Sequence, residues 1–364
     1  MAPRDLLTRA IDTLASGENL SADAAAAVLA EIWSGNASDV QITAVLIALR
    51  TKGETVDELT GLARTMREFA THVEIARDDL VDVVGTGGGR QTFNVSTTAA
   101  LIAAGAGCAV AKHGNRSATG KSGAADVLEA LGARIDLPPT AVARCVEQIG
   151  FGFMFAPHHH AAMRYVIPVR RELAVRTVMN FLGPLTSPAG VARQLTGVAD
   201  RRYHETIAGA FARLGARHAL IVSSDDGLDE LSTVAPTQVI EVRDGEITRF
   251  TVTPADVGLD AASYDDLRGG GPEDNAAIAR RILDGERGAP RDIAVLNAGA
   301  GVYAGGRAAT LEAGVRAAEA AIDSGAARET LERYVTQTQE THARPDAESL
   351  SQNAGPDARR RYST

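Results

Sequence analysis

Twice in close succession the chain runs a short β-branched stretch into a glycine and then into a helix-forming stretch. LVDVVG (80–85) leads into GTGGGRQTFNVST (85–97), and CAVAKHG (108–114) leads into GNRSATGKSGAADVLEALG (114–132). Strands that alternate with helices need crossover connections, so the pattern predicts a largely parallel sheet. The alternation continues with GFGFMFA (150–156), RQLTGVA (193–199) ahead of a helix expected over 201–214, and HALIVSS (218–224). TQVIEVR (237–243) and ITRFTV (247–252) are separated by Asp244, Gly245 and Glu246, which predicts an antiparallel hairpin and makes the sheet mixed.

Ahead of this region, residues 4–70 carry apolar positions at three-and-four spacing, such as Leu6, Leu7, Ala10, Ile11 and Leu14. Ser21 and Ser38 each precede acidic residues and an apolar run, the signature of an N-cap. The expectation is an α/β protein with two domains: a small all-helical unit over 1–75 and a larger α/β unit over 76–338. Residues 339–364 are polar enough to be expected as a disordered tail. The 364 residues suit two cores better than one.

Net charge −9 repels polyphosphate backbones at long range and argues against nucleic-acid binding as the main function. No apolar run reaches the ~18 residues a membrane span needs. Without a secretory-type start, a cytoplasmic location is expected. Cys108 and Cys145 sit in apolar contexts and read as buried free thiols.

The chemistry concentrates in three segments. Glycines at 85, 87, 88 and 89 let backbone approach a ligand, and the helix that follows offers free amides to an anion. This loop matches neither the P-loop nor the dinucleotide pattern. The second segment is expected to put Lys112, His113, Asn115, Arg116, Ser117, Thr119, Lys121 and Ser122 on one loop between a strand and a helix, cations and hydroxyls suited to phosphate. In the third, SSDDGLDELS, Asp229 and Glu230 stand side by side after a strand, an arrangement that can link magnesium to a polyphosphate. The run His158, His159, His160 is not a metal site, since adjacent residues on a helix diverge; it reads as a polar helix start with His160 facing a pocket.

In order, GTGG, TFNVST, KHGNRS, KSG, DVLEALG, FMFAP, LGPL and DGLDELS resemble the anthranilate phosphoribosyltransferase family over about residues 5–335. The resemblance implies the nucleoside phosphorylase/phosphoribosyltransferase-like architecture, a homodimer formed through the helical domains, and transfer of the 5-phosphoribosyl group of phosphoribosyl pyrophosphate to anthranilate in tryptophan biosynthesis. It implies a phosphoribosyl pyrophosphate site lined by Gly85, Gly88, Thr92, Asn94, Val95, Ser96 and Thr97. Lys112, His113, Gly114, Asn115, Arg116, Ser117, Ala118, Thr119 and Gly120 would wrap the phosphates. Magnesium would fall to Ser96, Asp229 and Glu230. Anthranilate would meet Gly85, His113, Asn115, His160 and Arg170, with Gly183 and Pro184 bordering its access channel and the helical domain forming part of its site.

Two departures stand out. The family's Gly-Thr-Gly-Gly-Asp is here GTGGGR, one residue shorter and without the aspartate, and Ala124 stands where a phosphate-binding serine is usual. Two other readings compete: a phosphoribosyltransferase or pyrimidine nucleoside phosphorylase of this fold with another aromatic acceptor, and a non-enzymatic nucleic-acid-binding relative. Asn115-Arg116 weighs against the first, and the acidic balance with an intact acid pair against the second.

Overall fold

The computed structural model describes residues 3–117 and 120–343. Four helices come first: α1 (Pro3–Ala15), α2 (Ala22–Trp33), α3 (Asp39–Lys52) and α4 (Val56–Glu68). Ser21 caps α2 by accepting from the Ala24 amide, and Ser38 forms a reciprocal capping box with Gln41 on α3. Thr55 and Glu58 make a second box on α4. Glu58 is fully buried, and it also accepts from the Leu20 amide and Lys52 Nζ, at 2.9 and 3.0 Å. A buried carboxylate is tolerable only when its oxygens are so occupied.

The α/β part runs β1 (Leu80–Gly85), α5 (Val95–Gly105), β2 (Ala109–Gly114), α6 (Ala124–Ala130), α7 (Pro139–Ile149), β3 (Phe151–Phe155), α8 (Ala156–His159), α9 (Ile167–Leu173), β4 (Arg193–Gly197), α10 (His204–Arg213), β5 (His218–Ser224), β6 (Thr237–Arg243), β7 (Glu246–Val252), α11 (Pro272–Leu283), α12 (Ala289–Ala304), α13 (Leu311–Asp323) and α14 (Ala326–Ala343). The sheet order is β3-β2-β1-β4-β5-β6-β7. The first five strands are parallel; β6 and β7 are antiparallel additions. Successive crossovers run outward from β1 to β2 and β3, and then the chain returns to β4 on the other side. That reversal opens a crevice at the carboxyl ends of β1 and β4, the usual ligand position in such sheets.

The hairpin turn is Asp244-Gly245, with φ of 48° and 88°, and Glu246 already pairs with Arg243 as the first residue of β7. Positive φ at both turn residues matches strand twist. The helix expected over 201–214 is shorter: residues 201–203 form a single 3₁₀ turn before α10.

The last helix passes position 339, where a tail was expected to begin, and continues to Ala343. Tyr334 and Thr338 are buried, the Thr338 hydroxyl accepts from the Arg134 amide, and Gln339 donates to the Gly132 carbonyl. A polar sequence is ordered here because its side chains hydrogen-bond to the loop after α6. The rest of the expected tail, 344–364, lies outside the described residues.

Two apolar cores result, and β5 shows how they divide. Leu220 and Val222 face one core with Val83, Leu101, Val110 and Phe153, whereas Ala219 and Ile221 face the other with Leu46, Leu59, Val169, Phe181 and Leu185. The period of two along a strand sends alternate residues to opposite faces. The second core joins α1 to α4 to the segment 162–185 and to α10, so the helical region packs as one body with part of the α/β chain. Both cysteines are buried and free.

Candidate active site

β1 and β4 place Gly85 beside Gly197, and the segment after β5 crosses directly over them. A Cβ at Gly197 would overlap the Asp229 carbonyl, and one at Gly85 would overlap the Asp229 carboxylate. Two adjacent strand-end glycines therefore allow the acid-bearing segment to lie on the ends of the strands. The loop after β1 folds back against it: the Gly87 amide donates to Asp229 Oδ2 at 2.7 Å, and the Arg90 amide to the Gly227 carbonyl at 3.3 Å. Gly87 and Gly88 have φ of 64° and 86°, a conformation that favours glycine. A Cβ at Gly88 would overlap the Arg176 guanidinium, which donates to the Thr86 carbonyl.

These segments enclose a cavity of about 560 Å³. Gly85, Gly88, Thr92, Asn94, Val95, Ser96, Lys112, His113, Gly114, Asn115, Arg116, Ser117, Gly120, Asp229 and Glu230 all border it. Thr97 does not; it is buried in the first turn of α5 behind Ser96. Ala118 and Thr119 lie outside the described residues.

Lys112 and His113 are not on the loop where the sequence suggested them but at the end of β2, both buried. Lys112 Nζ donates to the Val83 carbonyl at 2.5 Å and lies 3.5 Å from Ser96 Oγ. Burial lowers its pKa, with Asp82 and Glu230 opposing. Asp82, under the cavity floor, accepts from the His113 amide at 3.1 Å, and burial raises its pKa to about 6. Arg116 borders the cavity and also serves the loop's own structure. Its guanidinium pairs with Asp126 and Glu129 on α6, which holds it in the loop's own scaffold. Asp126 in turn accepts from the Ser117 and Gly123 amides. The cavity's remaining cations are Lys112, Lys121, Arg90 and Arg176.

Asp229 and Glu230 are both half-buried, and their partial desolvation raises both pKa values; Asp229 raises that of Glu230 further. Glu230 Oε2 has no hydrogen-bond partner. Two adjacent half-buried carboxylates with a free oxygen suit a divalent cation, which would remove their mutual repulsion. No group of three or more acidic, histidine or cysteine side chains able to hold a metal occurs among the described residues. A cation at this pair therefore needs ligand oxygens, as magnesium usually does.

A second group adjoins His113. The His113 and His160 rings lie 5.1 Å apart, and His113 contacts the backbone of Gly183 in the 3₁₀ turn Gly183–Leu185. Burial, reinforced by neighbouring histidines, lowers the pKa of His113 to about 3 and that of His160 to about 4, so both are neutral at pH 7. His159 points elsewhere: its Nδ1 is 2.8 Å from the Thr71 carbonyl, and the Thr71 amide donates to the His159 carbonyl. Arg170, on α9, is half-buried; desolvation lowers its pKa, and Arg176 close by lowers it further. Pro184 is fixed by Gln194, which donates to its carbonyl, while Arg67 of α4 donates to Leu185.

Sequence reasoning gave no role to five residues of the cavity wall: Arg176, Asn180, Gly269, Gly270 and Asn275. Arg176 and Asn180 lie just before LGPL, and that proximity was the one available signal. Gly269, Gly270 and Asn275 arrive from a segment with no phosphate-binding pattern.

Residues 77–328 match the glycosyl transferase family α/β domain and residues 8–70 its helical bundle domain. The anthranilate phosphoribosyltransferase of Moorella thermoacetica is 50% identical over 331 residues, 91% of this chain and 98% of that one. The crystal structure of the Thermus thermophilus anthranilate phosphoribosyltransferase superimposes with a TM-score of 0.86 at 45% identity, covering 91% of this chain and 99% of the other. The Saccharomyces cerevisiae anthranilate phosphoribosyltransferase in complex with PRPP and Mg gives a TM-score of 0.85 at 27% identity, covering 92% and 98%.

Proposed function

The chain belongs to the anthranilate phosphoribosyltransferase family, and on that footing we propose that it transfers the 5-phosphoribosyl group of phosphoribosyl pyrophosphate to the amine of anthranilate, releasing pyrophosphate, as a step of tryptophan synthesis. The observation that carries this reading is the convergence at one sheet end of two loops rich in amides and cations, a half-buried carboxylate pair, a pair of neutral histidines that begins at the cavity wall with His113, and Arg170 near the cavity-lining Arg176.

In this reading the amides at the start of α5, with Lys112 and the loop that follows β2, hold the phosphates. Asp229 and Glu230, with Ser96 nearby, hold magnesium, which supplies charge neutralisation to the departing pyrophosphate. Arg170 takes the carboxylate of anthranilate, and its place next to Arg176 strengthens its demand for an anion. The His113 and His160 rings, held neutral, give the aromatic acceptor an uncharged wall, with Gly183 and Pro184 at its access. The attacking aniline nitrogen is uncharged at neutral pH, so positioning beside the anomeric carbon does most of the work and no strong base is required.

The helical region completes the acceptor side through Arg67 and Thr71 and forms the homodimer; Val40 on α3, 78% exposed, gives it an apolar surface to cover. The setting is the cytoplasm, which agrees with the absence, among the described residues, of any helix long and apolar enough to cross a membrane.

The test follows the loss of anthranilate fluorescence with phosphoribosyl pyrophosphate, with and without magnesium, beside a panel of other aromatic acids and nucleobases. Magnesium-dependent consumption of anthranilate above all other acceptors is expected. Turnover of a nucleobase in preference would overturn the assignment.

A further inference from the structure

Asparagine at position 275 sits in the first turn of α11, in GGGPEDNAAIARRIL, and is 2% exposed. A buried amide is costly unless both its ends are paired. Here Oδ1 accepts from the Gly270 amide at 2.8 Å, and Nδ2 donates to Asn94 Oδ1 at 2.8 Å. Asn94 belongs to the loop after β1. Its Oδ1 also accepts from Ser122 Oγ at 2.9 Å, and its Nδ2 donates to the Ser122 carbonyl at 3.1 Å. Three segments far apart in sequence thus meet on a single side-chain amide.

The position of that amide gives the arrangement its meaning. Asn94 is the N-cap residue of α5, and an asparagine there ordinarily accepts from the helix's own second or third amide. In this structure it makes no such bond, because its oxygen is engaged by Asn275 and Ser122. The first turn of α5, with Val95 and Ser96 on the cavity wall, is left without a side-chain cap. A helix N-terminus not capped by its own side chain is where an anion gains most. The segment before Asn275 reinforces the hold: Gly269 packs against the backbone of Phe93, the Phe93 amide donates to the Leu267 carbonyl, and the Tyr264 hydroxyl donates to the Gln91 carbonyl.

We propose that Asn275 is a positioning residue for the phosphoribosyl pyrophosphate site: it holds the Asn94 side chain away from its own helix and so keeps the amides of α5 available to the substrate's phosphate. The inference rests on the phosphoribosyltransferase reading above. Without the Asn275 donor, Asn94 can turn back and cap α5, competing with the ligand for the same amides.

Two variants test this, and both keep a hydroxyl acceptor for the Gly270 amide without adding charge to the cavity wall. Asn275→Ser and Asn275→Thr are both neutral and too short to reach Asn94. Titration calorimetry with phosphoribosyl pyrophosphate and magnesium should show the dissociation constant rising on the order of tenfold in each, as expected for a lost buried hydrogen bond. The Michaelis constant for anthranilate at saturating phosphoribosyl pyrophosphate should stay within about twofold and the melting temperature within a few degrees, because capping by Asn94 compensates α5. If one variant does not fold, the other gives the same reading. Unchanged phosphoribosyl pyrophosphate affinity in a folded variant overturns the proposal, as does parallel weakening of both substrates with a falling melting temperature. Failure of the unaltered protein to bind phosphoribosyl pyrophosphate would instead overturn the functional reading on which the proposal depends.

Discussion

The two halves of the site are built differently. On the proposed phosphate side, three anchoring side chains are tied to neighbouring segments, Asp229 to Gly87, Arg116 to Asp126 and Glu129, and Asn94 to Ser122 and Asn275, while Glu230 Oε2 is left without a partner. On the acceptor side, both ring nitrogens of His160 and the Nε2 of His113 are buried without hydrogen-bond partners, and Arg170 stands beside a second arginine. The first half rests on the core behind the sheet, the second on the core shared with the helical region. The phosphate half has its loops organised in advance by its own chain and leaves a carboxylate oxygen open, whereas the acceptor half leaves its ring nitrogens unengaged. A charged, many-oxygened ligand rewards fixed donors; a small aromatic acid needs one strong ionic contact within otherwise undemanding walls.

If that contrast is right, disabling the acid pair should have the largest effect and should act on turnover. Asp229→Asn with Glu230→Gln, isosteric and uncharged, should cut kcat by about two to three orders of magnitude, as losses of electrostatic stabilisation do. The fold should survive, since burial disfavours these charges in the free protein. Steady-state rates at saturating substrates, with circular dichroism as the control, decide it; near-normal turnover would reduce the pair to a structural turn.

Arg170→Ala should act on the other half. The Michaelis constant for anthranilate should rise roughly ten- to a hundredfold, the range for losing a charge-assisted contact in a partly buried site, and that for phosphoribosyl pyrophosphate should change little. Equal rises for both substrates would erase the distinction between the halves.

The smallest effect concerns acid. His113 and His160 have folded-state pKa values of about 3 and 4, below the ordinary 6.5, so the unfolded chain binds protons that the folded one refuses. Their neutral burial costs nothing above pH 6.5 and costs progressively more as pH falls toward those values, by up to about 1.4 kcal/mol per pH unit for each group. Asp82, Asp229 and Glu230, with raised pKa values, act in the opposite sense over the same range. Chemical denaturation from pH 7 to pH 4.5 should therefore show His160→Gln gaining stability relative to the unaltered protein as pH falls. A difference that does not change with pH would show that His160 is not held neutral by the fold.

Much of this was legible beforehand where the signal is local. Asp244-Gly245 between alternating strands specifies its own turn, Ser38 with Gln41 its own cap, and two glycine-bearing strand ends their crevice. Misreadings arose where distant residues decide the outcome. Lys112 looked like a loop cation but lies within β2, because Val83 and Asp82 on the neighbouring strand supply a carbonyl and a countercharge for it. Arg116 borders the cavity, but its pairing with Asp126 and Glu129 on the next helix was not legible in the sequence. Asn275 meets Asn94 across 181 residues, with no periodicity or motif to announce it.

The passage of the acid-bearing segment over Gly85 and Gly197 also limits how such a protein can change. Position 197 has no space for even one methyl group without displacing the main chain of Asp229. In a library randomised at that codon, glycine should be the sole survivor under selection for activity. Gly183, on the proposed acceptor side, has open space where a side chain would begin, so new acceptor preferences should arise there first, with the phosphate machinery carried along unaltered.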